Sequence, residues 1–213
     1  VDAVVVTAPF YARTSQPEVV DHFRYVRDAL DIPVIAYDIP VCVNIKLERK
    51  TTVTLAREGV IAGLKDSSGD VGNMCRMISA IRPERPEFIF LTGWEVVLVP
   101  MLMVGANGGT NATSGVAPEV TRKLFDSCRR GDYATAMPCQ LRLIELFDSM
   151  LYSADFPEGF RAGVEARGFR MGRSRQPLSA SQTIDRAELK RKLGCLVAEF
   201  GLTDMPGHCK TPS

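Results

Sequence analysis

The sequence predicts an α/β fold: a parallel sheet with crossover helices, either part of a closed barrel or doubly wound, followed by a run of helices. Three observations predict it. Five short, continuously apolar, β-branched runs recur in the first half of the chain, as expected of strands buried on both faces of a parallel sheet. Helical stretches separate them. The runs start 20 to 31 residues apart, the length of a strand plus the right-handed crossover that parallel pairing requires.

Residues 3–7 (AVVVT) form the first expected strand. A helix over 17–30 follows, opened by Ser15-Gln16-Pro17-Glu18, a capping-box spacing in which serine and glutamate satisfy free backbone donors. Residues 34–38 (VIAYD), 61–65 (IAGLK) and 88–92 (FIFLT) continue the strands, with helices over 48–57 and 70–81 between them. A helix over 95–104 leads to 108–112 (GGTNA), the least apolar of the five runs. Behind it, 118–130, 133–151, 160–167 and 185–200 read as helices with no further strand. The tail 203–213 has too little apolar surface to offset its ordering entropy and is expected to be mobile. A closed (β/α)8 barrel needs eight strands and about 250 residues. Five strands in 213 residues, opening directly in a strand, therefore imply that three units of about 30 residues each are missing from the front, an N-terminally incomplete chain.

Composition excludes several functions. With 46% apolar and 24% charged residues the chain can bury a sizeable core, which excludes a disordered or disulfide-stapled class. Twenty-six basic against 25 acidic side chains leave a net charge of +1, so there is no basic field for nucleic acid and no polybasic patch for a membrane. No apolar run approaches the roughly 20 residues of a bilayer span, and no basic segment precedes a cleavable apolar stretch; a cytoplasmic location is expected. The six cysteines are scattered without a CxxC pair, which argues for reduced thiols and against zinc.

Lys65 closes the apolar run Val60-Ile61-Ala62-Gly63-Leu64, where a parallel strand gives way to its loop and such sheets place their chemistry. Partial desolvation there favours the neutral amine and makes Lys65 a candidate nucleophile toward carbonyls. From position alone an ion pair with Asp66 or Asp70 is the better explanation. Tyr37 holds the same place one unit earlier. Strands about 4.8 Å apart would bring its phenol beside the Lys65 amine, although a tyrosine there also reads as a wall residue. The carboxylates Asp66, Asp70 and Glu95 near strand ends raise the thought of a metal, which imine chemistry does not need. Gly105-Ala106-Asn107-Gly108-Gly109 lacks the Lys-Ser/Thr of a phosphate cradle and reads as a turn entering a strand.

Tyr37-Asp38-Ile39-Pro40, followed 28 positions after the tyrosine by Lys65 within Gly63-Leu64-Lys65-Asp66-Ser67, resembles the dihydrodipicolinate synthase and N-acetylneuraminate lyase family of class I, pyruvate-handling aldolases. Asp2-Ala3-Val4 through Pro9-Phe10-Tyr11, Thr92-Gly93 and the glycine-rich entry to the last strand extend the likeness from Val1 to about Pro177. The resemblance implies a (β/α)8 TIM barrel of which about the last five βα units are present. Residues 1–131 would then be strands four to eight of the family fold, 132–202 a C-terminal helical region and 203–213 a tail. It also implies a Schiff base between Lys65 and a 2-oxo acid such as pyruvate, then an enamine that adds to, or is released from, an aldehyde, with no cofactor and no metal. Tyr37 is the implied proton relay and Tyr11 a relay reaching across the interface of a homodimer or homotetramer. Thr92, Gly93, Glu95, Thr110 and Asn111 are the implied substrate-binding residues.

The departures from the family pattern bear on substrate. The family's hydroxyl-rich carboxylate clamp lies in a region this sequence does not include. Dihydrodipicolinate synthases carry an arginine two residues after the proline of the tyrosine motif, where this chain has Cys42, and a thiol cannot make a guanidinium's bidentate contact. That favours a lyase of 2-keto-3-deoxy sugar acids over condensation with aspartate semialdehyde. Glu95 suits a polyol, but the serine matching the sialic acid enzymes is Ala112. A rival from another class is an inactive barrel fragment serving as a binding or assembly module, its first strand edge covered by another chain.

Overall fold

The computed structural model describes residues 1–172, 174–175 and 186–202. The chain divides into two compact units, Val1–Asn111 and Ala112–Ser213. The division falls at the end of the sheet, and the helix over 118–129, grouped by sequence with the barrel, belongs to the second unit. The tail 203–213 lies outside the described residues.

In the first unit, strands β1 (Val4–Thr7), β2 (Val34–Asp38), β3 (Gly63–Asp66), β4 (Ile89–Thr92) and β5 (Gly108–Gly109) form one parallel sheet in the order β1-β2-β3-β4-β5. The helices are α1 (Gln16–Asp28), α2 (Pro40–Val43), α3 (Arg49–Arg57), α4 (Val71–Ile81) and α5 (Leu98–Met103), with a 3-10 turn at Glu95–Val97. The expected capping box opens α1, where the Glu18 carboxylate accepts from the Ser15 amide at 2.6 Å.

Strand alternation decides between the two architectures. Val34, Ala36, Leu64 and Phe90 share one core with Val19 and Phe23 of α1, Leu55 and Ala56 of α3 and Met74, Met77 and Ile81 of α4. All these helices therefore cover the same face of the sheet, whereas a doubly wound sheet carries helices on both. The opposite face is less covered, with Val5 57% and Ile89 38% exposed. This is the wall of a (β/α)8 barrel, five units of it, with C-terminal helices in a second unit.

Two elements differ from expectation. The last strand is two residues rather than five, because the Thr110 amide makes the final sheet bond, to the Thr92 carbonyl at 2.8 Å, and the chain then turns into a 3-10 segment at Ala112–Gly115. The helix expected over 95–104 splits. Pro100 has no N–H to donate to Val96, so the α-helix restarts at Leu98, with the proline in its first turn, where that donor is not needed.

The second unit contains α6 (Pro118–Arg129), α7 (Tyr133–Tyr152), α8 (Glu158–Ala166) and α9 (Arg186–Glu199). At the closest approach of α7 and α8, Gly159 lies against the Met150 carbonyl and Gly163 against the Met150 sulfur. A fork from Arg167 holds Glu119 at 3.0 and 2.7 Å while also donating to the Val116 carbonyl at 2.8 Å. That pairing depresses the Glu119 carboxyl to about 2. Cys42, Cys75, Cys128 and Cys139 are free thiols.

Candidate active site

Register brings the two candidate groups together. Tyr37 of β2 and Lys65 of β3 are direct partners across the ladder, one residue before their strands end. Both side chains leave the sheet on the face away from the helices. Lys65 Nζ lies 3.8 Å above the centre of the Tyr37 ring. The ion pairs that position alone allowed are not made: the Asp66 carboxylate accepts from the Ser68 amide, and Asp70 caps α4 by accepting from the Asn73 amide.

Gly93 belongs to the same cluster. A Cβ at this position would collide with Ser67 Oγ and lie 3.0 Å from Lys65 Cε, so only glycine leaves the lysine stem and the serine their places. The other candidates stand at the same end of the sheet. Thr92 is buried, its hydroxyl accepting from the Trp94 amide at 3.3 Å. Glu95 is buried in the 3-10 turn, and Asn111 is buried next to exposed Thr110. Tyr11 is not gathered into the cluster. It follows β1 with φ 74° and is 98% exposed. A left-handed tyrosine is a strained, rare conformation, and it projects the ring outward. Cys42 is exposed on α2.

Behind the Tyr37–Lys65 face, the next residue of each strand points toward the helices. Asp38 and Asp66 are register partners and both are buried. Asp38 is neutralised by Lys46 Nζ at 2.6 Å and accepts from the Leu47 amide at 3.0 Å. Asp66 accepts from the Ser68 amide at 2.6 Å through Oδ1, while Oδ2 has no hydrogen-bond partner among the described residues. Burial raises the Asp66 carboxyl above its ordinary value, opposed by Ser68 and Lys46 and assisted by the Asp38 charge. The sign follows from linkage. The native state holds this proton to higher pH than the unfolded chain, so stability is greatest below the ordinary value of 3.8 and falls as pH rises through the native value. Asp66→Asn keeps the acceptor for Ser68 without the charge. Urea titrations at about pH 4 and about pH 8 should show the variant gaining on the parent chain as pH rises; the opposite trend would refute a carboxylate that burial disfavours.

The sequence missed Ser67 and the Asp38–Asp66 pair. The signal available was the Ser67-Ser68-Gly69 turn two residues beyond the lysine, short enough to fold back over the strand end. Among the described residues no group of three or more His, Cys, Asp or Glu side chains is placed to hold a metal, and no helix is long and apolar enough to cross a membrane.

A parallel barrel wall with a lysine and a tyrosine paired at its C-terminal rim defines the class. The sequence profile of the Dihydrodipicolinate synthetase family matches residues 1–195, and the chain belongs to that family. A DapA-like lyase of Halobacterium salinarum is 35% identical over 201 residues, covering 94% of this chain and 63% of that protein. A 4-hydroxy-tetrahydrodipicolinate synthase of Exiguobacterium is 33% identical over 187 residues, 88% of this chain and 62% of that protein. The chain thus spans somewhat under two thirds of the length of these relatives. Among solved structures, the Escherichia coli prophage protein YagE, of the dihydrodipicolinic acid synthase family and in complex with pyruvate, superposes with a TM-score of 0.80 at 26% identity, over 95% of this chain and 67% of that one. Dihydrodipicolinate synthase of Thermotoga maritima superposes at 0.84 with 22% identity, over the same shares, a likeness of fold.

Proposed function

We propose that this chain carries the imine-forming half of a class I lyase that makes or breaks a carbon–carbon bond between pyruvate and an aldehyde. The observation that carries the reading is the Lys65 nitrogen 3.8 Å over the Tyr37 ring, at the rim of a barrel wall. The Lys65 lone pair attacks the keto carbon of a 2-oxo acid, forming a C–N bond while the carbonyl oxygen takes the phenol proton of Tyr37. The carbinolamine then loses water and leaves the iminium. With that electron sink in place, the Tyr37 phenolate takes the proton of the C4 hydroxyl, the C3–C4 bond breaks to an enamine and an aldehyde, and the phenol is restored; bond formation runs these transfers in reverse. No cofactor enters these steps. Exposed, left-handed Tyr11 suits a group offered to a second subunit, which supports a homodimer or homotetramer; a cytoplasmic location is proposed with it. Gly93 shapes the lysine's surroundings, and Glu95, Thr110 and Asn111 are the proposed wall facing the aldehyde portion, whereas buried Thr92, in register with Asp66, turns to the helix side of the sheet.

The favoured substrate is a 2-keto-3-deoxy sugar acid or a related 2-oxo acid, because Cys42 replaces the arginine that would grip a second carboxylate. Several relatives are named 4-hydroxy-tetrahydrodipicolinate synthase, which favours a second reading; consumption of aspartate semialdehyde together with pyruvate distinguishes it. Incubation with pyruvate and borohydride, followed by peptide mass spectrometry, tests the shared step. A reduced pyruvyl adduct on Lys65 is expected, and an unmodified Lys65 would overturn the reading.

A further inference from the structure

The Ser67 hydroxyl donates to the phenol oxygen of Tyr37 at 3.2 Å. Three hydrogen bonds donated by backbone amides fix where that hydroxyl stands. The Ser67 amide donates to the Asp38 carbonyl at 2.9 Å, tying the serine to the residue that follows Tyr37. The Ser68 amide donates to buried Asp66 Oδ1 at 2.6 Å, which folds the chain back immediately beyond the serine. The Gly93 amide donates to the Asp66 carbonyl at 2.7 Å, and its bare Cα closes the remaining side, where a Cβ would collide with Ser67 Oγ. Three strand ends thus hold one hydroxyl against one phenol, beside the stem of Lys65.

We propose that Ser67 is a positioning residue that sets the Tyr37 phenol for proton transfer, an inference that rests on the lysine-imine reading above. A phenol has one proton to give and lone pairs to receive. Ser67 donates into a lone pair, so the phenol's own proton is left for another acceptor, the carbonyl oxygen of the bound 2-oxo acid. When that proton leaves, the serine bond becomes charge-assisted, shorter and stronger, so it stabilises phenolate more than phenol. Backbone anchoring also restricts the ring, and misplacement of a catalytic group by about 1 Å costs about a hundredfold in rate. Ser67 acts through Tyr37 alone, so removing its hydroxyl matters only while the phenol is present.

Four variants test this: Ser67→Ala, Ser67→Thr, Tyr37→Phe and the Ser67→Ala/Tyr37→Phe double, with pyruvate and borohydride for the imine and a 2-keto-3-deoxy sugar acid for turnover. Ser67→Ala should lower kcat and the trapping rate about tenfold or more, with KM within about twofold. Ser67→Thr, which keeps the hydroxyl, should restore most of that loss. In the Tyr37→Phe background Ser67→Ala should cost nothing further. An undiminished kcat, a loss confined to KM, or the same loss without the phenol overturns the proposal. Fluorine NMR of fluorotyrosine-labelled protein reads the contact without turnover: the Tyr37 line, identified by its absence in Tyr37→Phe, should move in Ser67→Ala and return in Ser67→Thr. A stationary line overturns the positioning role. If the parent chain forms no imine at Lys65, the lysine-imine reading falls by itself, while the fluorine line still decides whether Ser67 sets the phenol.

Discussion

Gly159→Ala is expected to destabilise the helical unit by about 3 kcal/mol, the upper range for overpacking a close-packed site. Its new Cβ would overlap the Met150 carbonyl oxygen and lie 2.6 Å from the carbonyl carbon. A backbone obstacle cannot rotate aside, so α7 and α8 must separate. The gain in helix propensity, about 1 kcal/mol for glycine to alanine, is too small to compensate. Gly163→Ala is the internal control. One turn along the same helix, its nearest neighbour is the Met150 sulfur at 2.8 Å, the end of a flexible side chain. That variant should cost about 1 kcal/mol or less. Urea midpoints followed by circular dichroism measure both, and a Gly159→Ala midpoint equal to the parent's would show that the two helices do not meet as closely as described.

Lys65→Arg should abolish borohydride trapping and lower turnover by about a thousandfold or more, the scale on which loss of a covalent nucleophile acts. Arginine keeps the charge and most of the stem. It remains protonated and delocalised, so it presents no lone pair to a carbonyl. Tyr37→Phe separates the two roles: trapping should persist, slowed about a hundredfold, because general acid–base help is removed while the nucleophile remains. Circular dichroism spectra matching the parent chain's would assign both losses to chemistry. Turnover surviving in Lys65→Arg would mean that the amine is not the nucleophile.

The barrel wall was readable from sequence because its code is coarse. Runs such as VIA at 34–36 and FIFL at 88–91 are apolar throughout, and their spacing admits only a strand and a crossover. Lys65 and Tyr37 were legible for a related reason: each interrupts an apolar run where the strand ends, and one repeat length makes them lateral neighbours. The strand at 108–112 was overextended because glycines carry no side-chain pattern, and where pairing stops depends on the bond from Thr110 to Thr92. Pro40–Val43 has too few residues for helical periodicity to show. Asp38 read only as the end of a strand and Asp66 as a partner for Lys65, since only tertiary packing reveals that Lys46 and the Leu47 and Ser68 amides receive them inside. Ser67 was hidden in the same way. Its contact with Tyr37 joins residues 30 apart and needs Gly93, from a third strand, to complete it.

The strand order has a kinetic meaning. Across the sheet the strands lie in the sequence in which a ribosome would deliver them, each hydrogen-bonded only to its immediate predecessor and successor. A newly made strand therefore finds its template already exposed, and every addition closes a loop of similar size, so the entropic toll varies by well under about 1 kcal/mol from one step to the next. Assembly of this wall can advance by accretion, one strand and one helix at a time, without waiting for any remote part of the polypeptide.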